Sequence, residues 1–286
     1  MAVYEQVYKP YEGPATPTWS RFLIIPRYAF RDLFRSKLLT GYFALCFVYP
    51  VIASIIIYLH HNVNALAIFE LPVDEIIPIN NTFFYYITAV QARFAFVLAL
   101  FVGPSLIAAD LANNALPLYL ARPLSRVEYV VSKLTVLLAL LSAVTWVPQL
   151  LLFALQAYLE GAAWAASYAY VAWAIFVGNS AWILTLALLS LSISAFVRWS
   201  LLARAAMFGI LIVPAALAAI INEIFNMTWG DLASLQASAN ALWCGLFRYQ
   251  DDEVMPAVAG AVMLAIVCAA CIGLLARKVR AYEVVR

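Results

Sequence analysis

Charge is what this chain has least of. Asp, Glu, Lys and Arg make up 11% of its 286 residues, while 66% are hydrophobic; soluble domains carry roughly 25% charged residues. A soluble fold of this length cannot hide so much apolar surface, so that class is excluded. Glycines number ten and none stands beside a lysine, which removes the phosphate loop in which a lysine follows the last glycine. If ATP drives this protein, the hydrolysis belongs to another polypeptide. The four cysteines, Cys46, Cys244, Cys268 and Cys271, form neither a disulfide framework nor a zinc pattern. Cys268 and Cys271 share a helical face and read as small packing residues. The two histidines, His60 and His61, are adjacent; neighbours on a helix point different ways, so they read as interface residues and not as a shared metal site. Paired carboxylates, Cys/His clusters and a supported Ser/His/Asp set are lacking. No catalytic residue, cofactor, metal or nucleic-acid partner is predicted.

What the chain has is apolar length. Uncharged runs of about 17 to 25 residues cross a hydrocarbon core of roughly 30 Å. The spacing predicts six spans, at about 38–59, 83–109, 134–159, 166–196, 201–222 and 254–276. Arg93 interrupts the second, and Pro148 and Pro214 lie inside the third and fifth. The fold class is therefore all-α, a polytopic membrane protein. Residues 1–16 form a polar tail without the basic start and apolar core of a signal peptide, and 38–286 form the membrane domain.

Between them, 17–37 reads as an amphipathic helix. At 100° per residue Trp19, Phe22, Leu23, Phe30, Leu33 and Phe34 fall on one arc, with Arg21, Arg27, Arg31, Asp32 and Arg35 opposite. Aromatics on one face and arginines on the other suit a membrane interface; an ordinary amphipathic helix packed on protein is the alternative. Pro26 implies a kink or a late start.

Orientation follows from the basic residues. With a cytosolic N-terminus, all but Arg93 and Arg248 of the 17 lysines and arginines lie on one side, and both termini are cytosolic. The outer segments are acidic, with Glu70, Asp74, Glu75, Glu160, Glu223, Asp231 and 251–253. One of them, 226–253, has Leu232, Leu235, Leu242, Trp243, Leu246 and Phe247 at helical intervals. It reads either as a lid or as a re-entrant or surface loop with no gating role.

Polar residues inside the spans are the internal clues to a path: Gln91, Arg93, Gln149 and Asn179. A charge in lipid costs several kcal/mol on insertion scales of about 2.5–3.5, so Arg93 must snorkel, pair or face water. Counted up from Ala109, it falls near the outer boundary. The amides serve either as links between helices or as lining of a path.

The longest polar break with concentrated basic charge is Asp110 to Lys133, DLANNALPLYLARPLSRVEYVVSK. Ser125 and Glu128 have capping-box spacing, with Leu124 and Tyr129 placed as an apolar staple, so a helix is predicted to begin at Arg126 and run into the third span. Gly103-Pro104-Ser105-Leu106-Ile107-Ala108-Ala109-Asp110, Leu118-Tyr119-Leu120-Ala121-Arg122-Pro123-Leu124-Ser125-Arg126 and Lys133 together resemble the permeases of type-2 ABC (ATP-binding cassette) exporters. Asn114-Ala115 stands where that family usually has Gly-Thr, and Pro117 is unusual there.

The resemblance implies several things. The segment between spans two and three would be a cytosolic coupling helix docking on a separate ATPase subunit, with Leu116, Leu118, Tyr119, Leu120, Arg122 and Arg126 at the contact. The 17–37 helix would be the elbow before the first span. The permease would pair with a second copy or a paralogue, contact membrane lipid, and sit in a bacterial or archaeal plasma (inner) membrane. A secondary transporter is the runner-up, disfavoured because no span carries a mid-depth Asp or Glu and no repeat relates the two halves. A non-transporting membrane anchor subunit is the third reading.

Overall fold

A computed structural model describes residues 24–62, 78–113, 126–197, 199–225, 228–250 and 254–278. These are helical apart from short turns and ends, with no strand among the described residues. The helices are α1 (Ile24–Leu33), α2 (Lys37–Leu45), α3 (Val48–His60), α4 (Asn81–Ala112), α5 (Arg126–Val144), α6 (Trp146–Glu160), α7 (Ala162–Ser167), α8 (Ala169–Phe196), α9 (Ser200–Phe225), α10 (Leu235–Phe247) and α11 (Ala257–Lys278), with a 3₁₀ turn at Trp229–Ala233 before α10. Six segments are long and apolar enough to cross a membrane: Lys37–His60, Asn81–Ala108, Val127–Glu160, Ala169–Phe196, Ser200–Phe225 and Ala257–Lys278. The protein is an all-α polytopic membrane protein.

One end of the bundle, here the rim, carries His61, Asn81, Glu160 and Arg248. The other, the base, carries Asp110, Lys133 and Lys278. His61 Nε2 meets Glu160 Oε2 at 2.7 Å, joining the rim ends of the first and third spans. α8 is the central post, with most of its residues buried and with α4, α5, α6, α9, α10 and α11 packed around it. Its seam with α4 is close because Gly103 faces Ser190, where any Cβ would collide with the serine hydroxyl. Below it, Ser194 Oγ donates to the Pro104 carbonyl at 2.8 Å and accepts from the Ile107 and Ala108 N–H groups. A side chain inserted in this way opens a helical turn.

Two spans are broken, and for one reason. Proline has no N–H for the carbonyl four residues earlier and its ring crowds that turn. Pro50 thus frees the Cys46 carbonyl and Pro148 frees that of Val144, and the breaks fall there, between α2 and α3 and at Thr145 between α5 and α6. The Gln91 amide reaches both carbonyls, Val144 at 2.7 Å and Cys46 at 3.3 Å. A single buried side chain therefore ties three spans together at their weakest turns.

The amphipathic segment is shorter than 17–37 suggests. α1 ends at Leu33, and Ser36 caps the next helix by accepting from the Leu39 N–H at 3.5 Å, so the first span starts afresh at Lys37. Phe30 and Leu33 pack on the core while Arg27, Arg31, Asp32 and Arg35 stay exposed. Trp19, Arg21, Phe22 and Leu23 lie outside the described residues.

Candidate functional site

The segment before the last span does not cross the membrane, and it does not lie flat on the rim. From Arg248 at the rim, α10 runs back into the bundle beside α11: Gly245 meets Ala257, and Gly260 sits so close to the Ser238 carbonyl that a side chain there would strike backbone. Along α4, Asn81 Nδ2 donates to the Phe247 carbonyl at 2.8 Å, and the Tyr85 hydroxyl donates to Asn240 Oδ1 at 2.7 Å. Trp243 Nε1 reaches the Gly178 carbonyl at 3.2 Å on α8. The rim end is closed by Arg248 in the left-handed conformation, φ 54°, its guanidinium 4.3 Å from the centre of the Tyr170 ring. A left-handed turn reverses the chain at a helix end. So 229–247 is re-entrant, and Ser234 lies 13 residues below Phe247, about 20 Å at 1.5 Å per residue.

Re-entry creates a cleft of about 560 Å³ between α4, α9, the 3₁₀ turn and α10, lined by Tyr85, Tyr86, Arg93, Asp231, Gln236 and Asn240 with alanines of α9. Arg93 is exposed into it. Arg93 sits 12 residues below Asn81, about 18 Å down its helix, level with the inner end of α10 across the cleft. Among the described residues it makes no ion pair. Asp231, across the cleft, is held instead by the Asn222 amide at 2.8 Å, and Asn222 Oδ1 in turn accepts from the Gly230 N–H at 2.8 Å. A side chain at Gly230 would meet the Ala218 carbonyl and Asn222, so glycine is what lets the turn press onto α9.

The three amides lie elsewhere. Gln91, two residues from Arg93, points the opposite way into the bundle, and Gln91, Gln149 and Asn179 are fully buried. Gln149 Oε1 lies 2.8 Å from the Thr88 hydroxyl and 3.3 Å from Asn179 Nδ2, which also donates to the Ile175 carbonyl at 2.8 Å. None of the three lines the cleft.

At the base, the flanks of the 110–133 stretch are locked together. Lys133 Nζ and the Tyr129 hydroxyl both reach Asp110 Oδ2, at 2.8 and 2.6 Å. Lys133 is 8% exposed and Asp110 15%, which makes this a mostly desolvated pair. It fastens the end of α4 to the start of α5. α5 begins at Arg126 as the sequence predicts. Leu116, Leu118, Tyr119, Leu120, Arg122 and the Ser125 cap lie outside the described residues.

Sequence reasoning missed Asp231, Gln236, Asn240 and Tyr85 as neighbours of Arg93, because they meet it only through re-entry. It also missed the Asp110–Lys133 pair, although an acid ending one span and a lysine opening the next was a visible signal. No protein-family model matches this chain, and no curated protein matches its sequence.

Proposed function

We propose that this protein is the membrane permease subunit of an ATP-driven exporter of the type-2 ABC kind. Its base and both termini would be cytosolic in a plasma membrane, and hydrolysis would take place on a separate ATPase. The observation that carries the reading is the clamp of Asp110, Lys133 and Tyr129. An ATPase can move spans only through a cytosolic element stiffly joined to them. Here the two helices that flank the segment, α4 and α5, are joined by a mostly desolvated ion pair, and the sequence between them is the one that resembles the family's coupling helix. Leu116, Leu118, Tyr119 and Leu120 would give apolar contact with the ATPase, and Arg122 and Arg126 charge beside it. Large aromatic and arginine side chains are common anchors at such contacts. A second copy or paralogue would complete the path, seated on the broad apolar faces that α9 and α11 leave exposed. The test is affinity purification of the tagged protein from its host. An ATP-binding cassette subunit should copurify and hydrolyse ATP; its absence would remove the reading.

A further inference from the structure

We propose that the cleft between α4, α9 and α10 binds a zwitterionic amphiphile, its acidic group on Arg93, its basic group on Asp231 and its chains in an adjoining apolar cleft. Two opposite charges line one cleft yet do not pair with each other. Asp231 is fixed by Asn222 and the α9 contact of Gly230, so it cannot simply swing across to the arginine. Arg93 lies within the second span, where a charge without a partner is costly, and Asp231 is met by an amide and by no cation among the described residues; the missing counter-charges are those a zwitterion supplies. An anion would bring its charge toward the Asp231 carboxylate, and a cation toward Arg93; only a ligand bearing both signs satisfies both walls. Gln236 and Asn240 add uncharged amides to the lining.

The amphiphile follows from what lies next door. A second cleft of about 450 Å³, between α3 and α4, is lined by Tyr49, Ile52, Ile56, Phe83 and Ile87. The two clefts share Tyr86 and Val90 as a common wall. A polar chamber with two opposite, unpaired charges beside an apolar chamber matches a headgroup joined to hydrocarbon. Each volume is within the roughly 300–1,000 Å³ of small-molecule sites. As the class of cargo this rests on the permease reading, but the binding test needs no ATPase, so the two can fail separately.

The test measures binding of chain-labelled phosphatidylethanolamine, phosphatidylglycerol and diacylglycerol to the purified protein in a nonionic detergent, by fluorescence anisotropy. Wild type should bind the ethanolamine lipid about tenfold more tightly than the other two, a ratio that corresponds to one well-placed charged contact. Arg93→Gln should weaken it by a similar factor, and Asp231→Asn should shift preference toward phosphatidylglycerol. Soluble phosphoethanolamine, which lacks chains, should not displace the lipid at equal concentration. Ala219→Phe fills the cleft from the exposed face of α9 and should abolish binding while keeping both charges, so the proposal stays testable if Arg93→Gln fails to fold. Equal binding of all three lipids, tightest binding of phosphatidylglycerol, displacement by phosphoethanolamine, or undiminished binding in folded Ala219→Phe would each overturn it.

Discussion

Gln91 shows why a polar residue in a span cannot be interpreted from its own neighbourhood. On the sequence it is one of four candidates for a path. In the structure its amide answers two carbonyls freed by prolines in two other spans. Nothing local to position 91 announces this, because Pro50 and Pro148 lie far away in the chain. Gln91→Leu should therefore destabilise the folded protein by about 1–3 kcal/mol for each carbonyl left without a partner. Adding Pro50→Ala, which returns the N–H that Cys46 lacks, should recover part of the loss; denaturation in detergent micelles measures both. The basal clamp gives a second prediction. Lys133→Met leaves a buried carboxylate uncompensated and should cost about 3–5 kcal/mol. Lys133→Met with Asp110→Asn should cost clearly less in the same unfolding assay, which would show that the penalty comes from the orphaned charge.

At the scale of elements, long apolar runs were legible and their interruptions partly so. Six helices long and apolar enough to cross a membrane stand where the six runs were read, because a length near 20 apolar residues is a strong constraint. The helix of the third span begins at Arg126, as the capping-box spacing predicts, seven or eight residues ahead of the apolar run at 134–159, and it breaks at Thr145; its first turns are held by the buried contacts of Tyr129 and Lys133. α10 was legible as a helix from its apolar periodicity, but periodicity says nothing about depth. What sets depth is close approach, above all Gly245 on Ala257 and Gly260 on the Ser238 carbonyl. Re-entry makes a prediction for single cysteines in a cysteine-free background. Those replacing Ala162 and Gln250, both exposed near the rim, should react in whole cells with an impermeant thiol reagent, if the rim faces outward. One replacing Ser234, 4% exposed at the inner end of α10, should be protected, and one replacing Asn113 should react only from the base side. Rapid labelling of Ser234 would show that 229–247 rests on the surface.

Taken as a whole, the described molecule is a post, α8, with four other spans and the re-entrant α10 around it, the first span packed outside against the second and third, and an ion-pair clamp at the base. The class was legible because charge is so scarce. The cleft was not, since it is assembled from α4, α9 and α10 by a turn whose geometry depends on one glycine against α9. The functional reading joins the two ends: force entering at the clamp would move α4 and α5, and α4 carries Arg93 into the cleft. The central claim is that force enters through the segment between them. It is tested most directly by ATP hydrolysis in complexes purified on tagged wild type and on Tyr119→Ala with Leu120→Ala. The account predicts that wild type brings down an ATPase. It also predicts that the double variant inserts in the membrane in equal amount but loses the partner or most of the coupled hydrolysis. Full partner binding with full coupled hydrolysis in the double variant would contradict it.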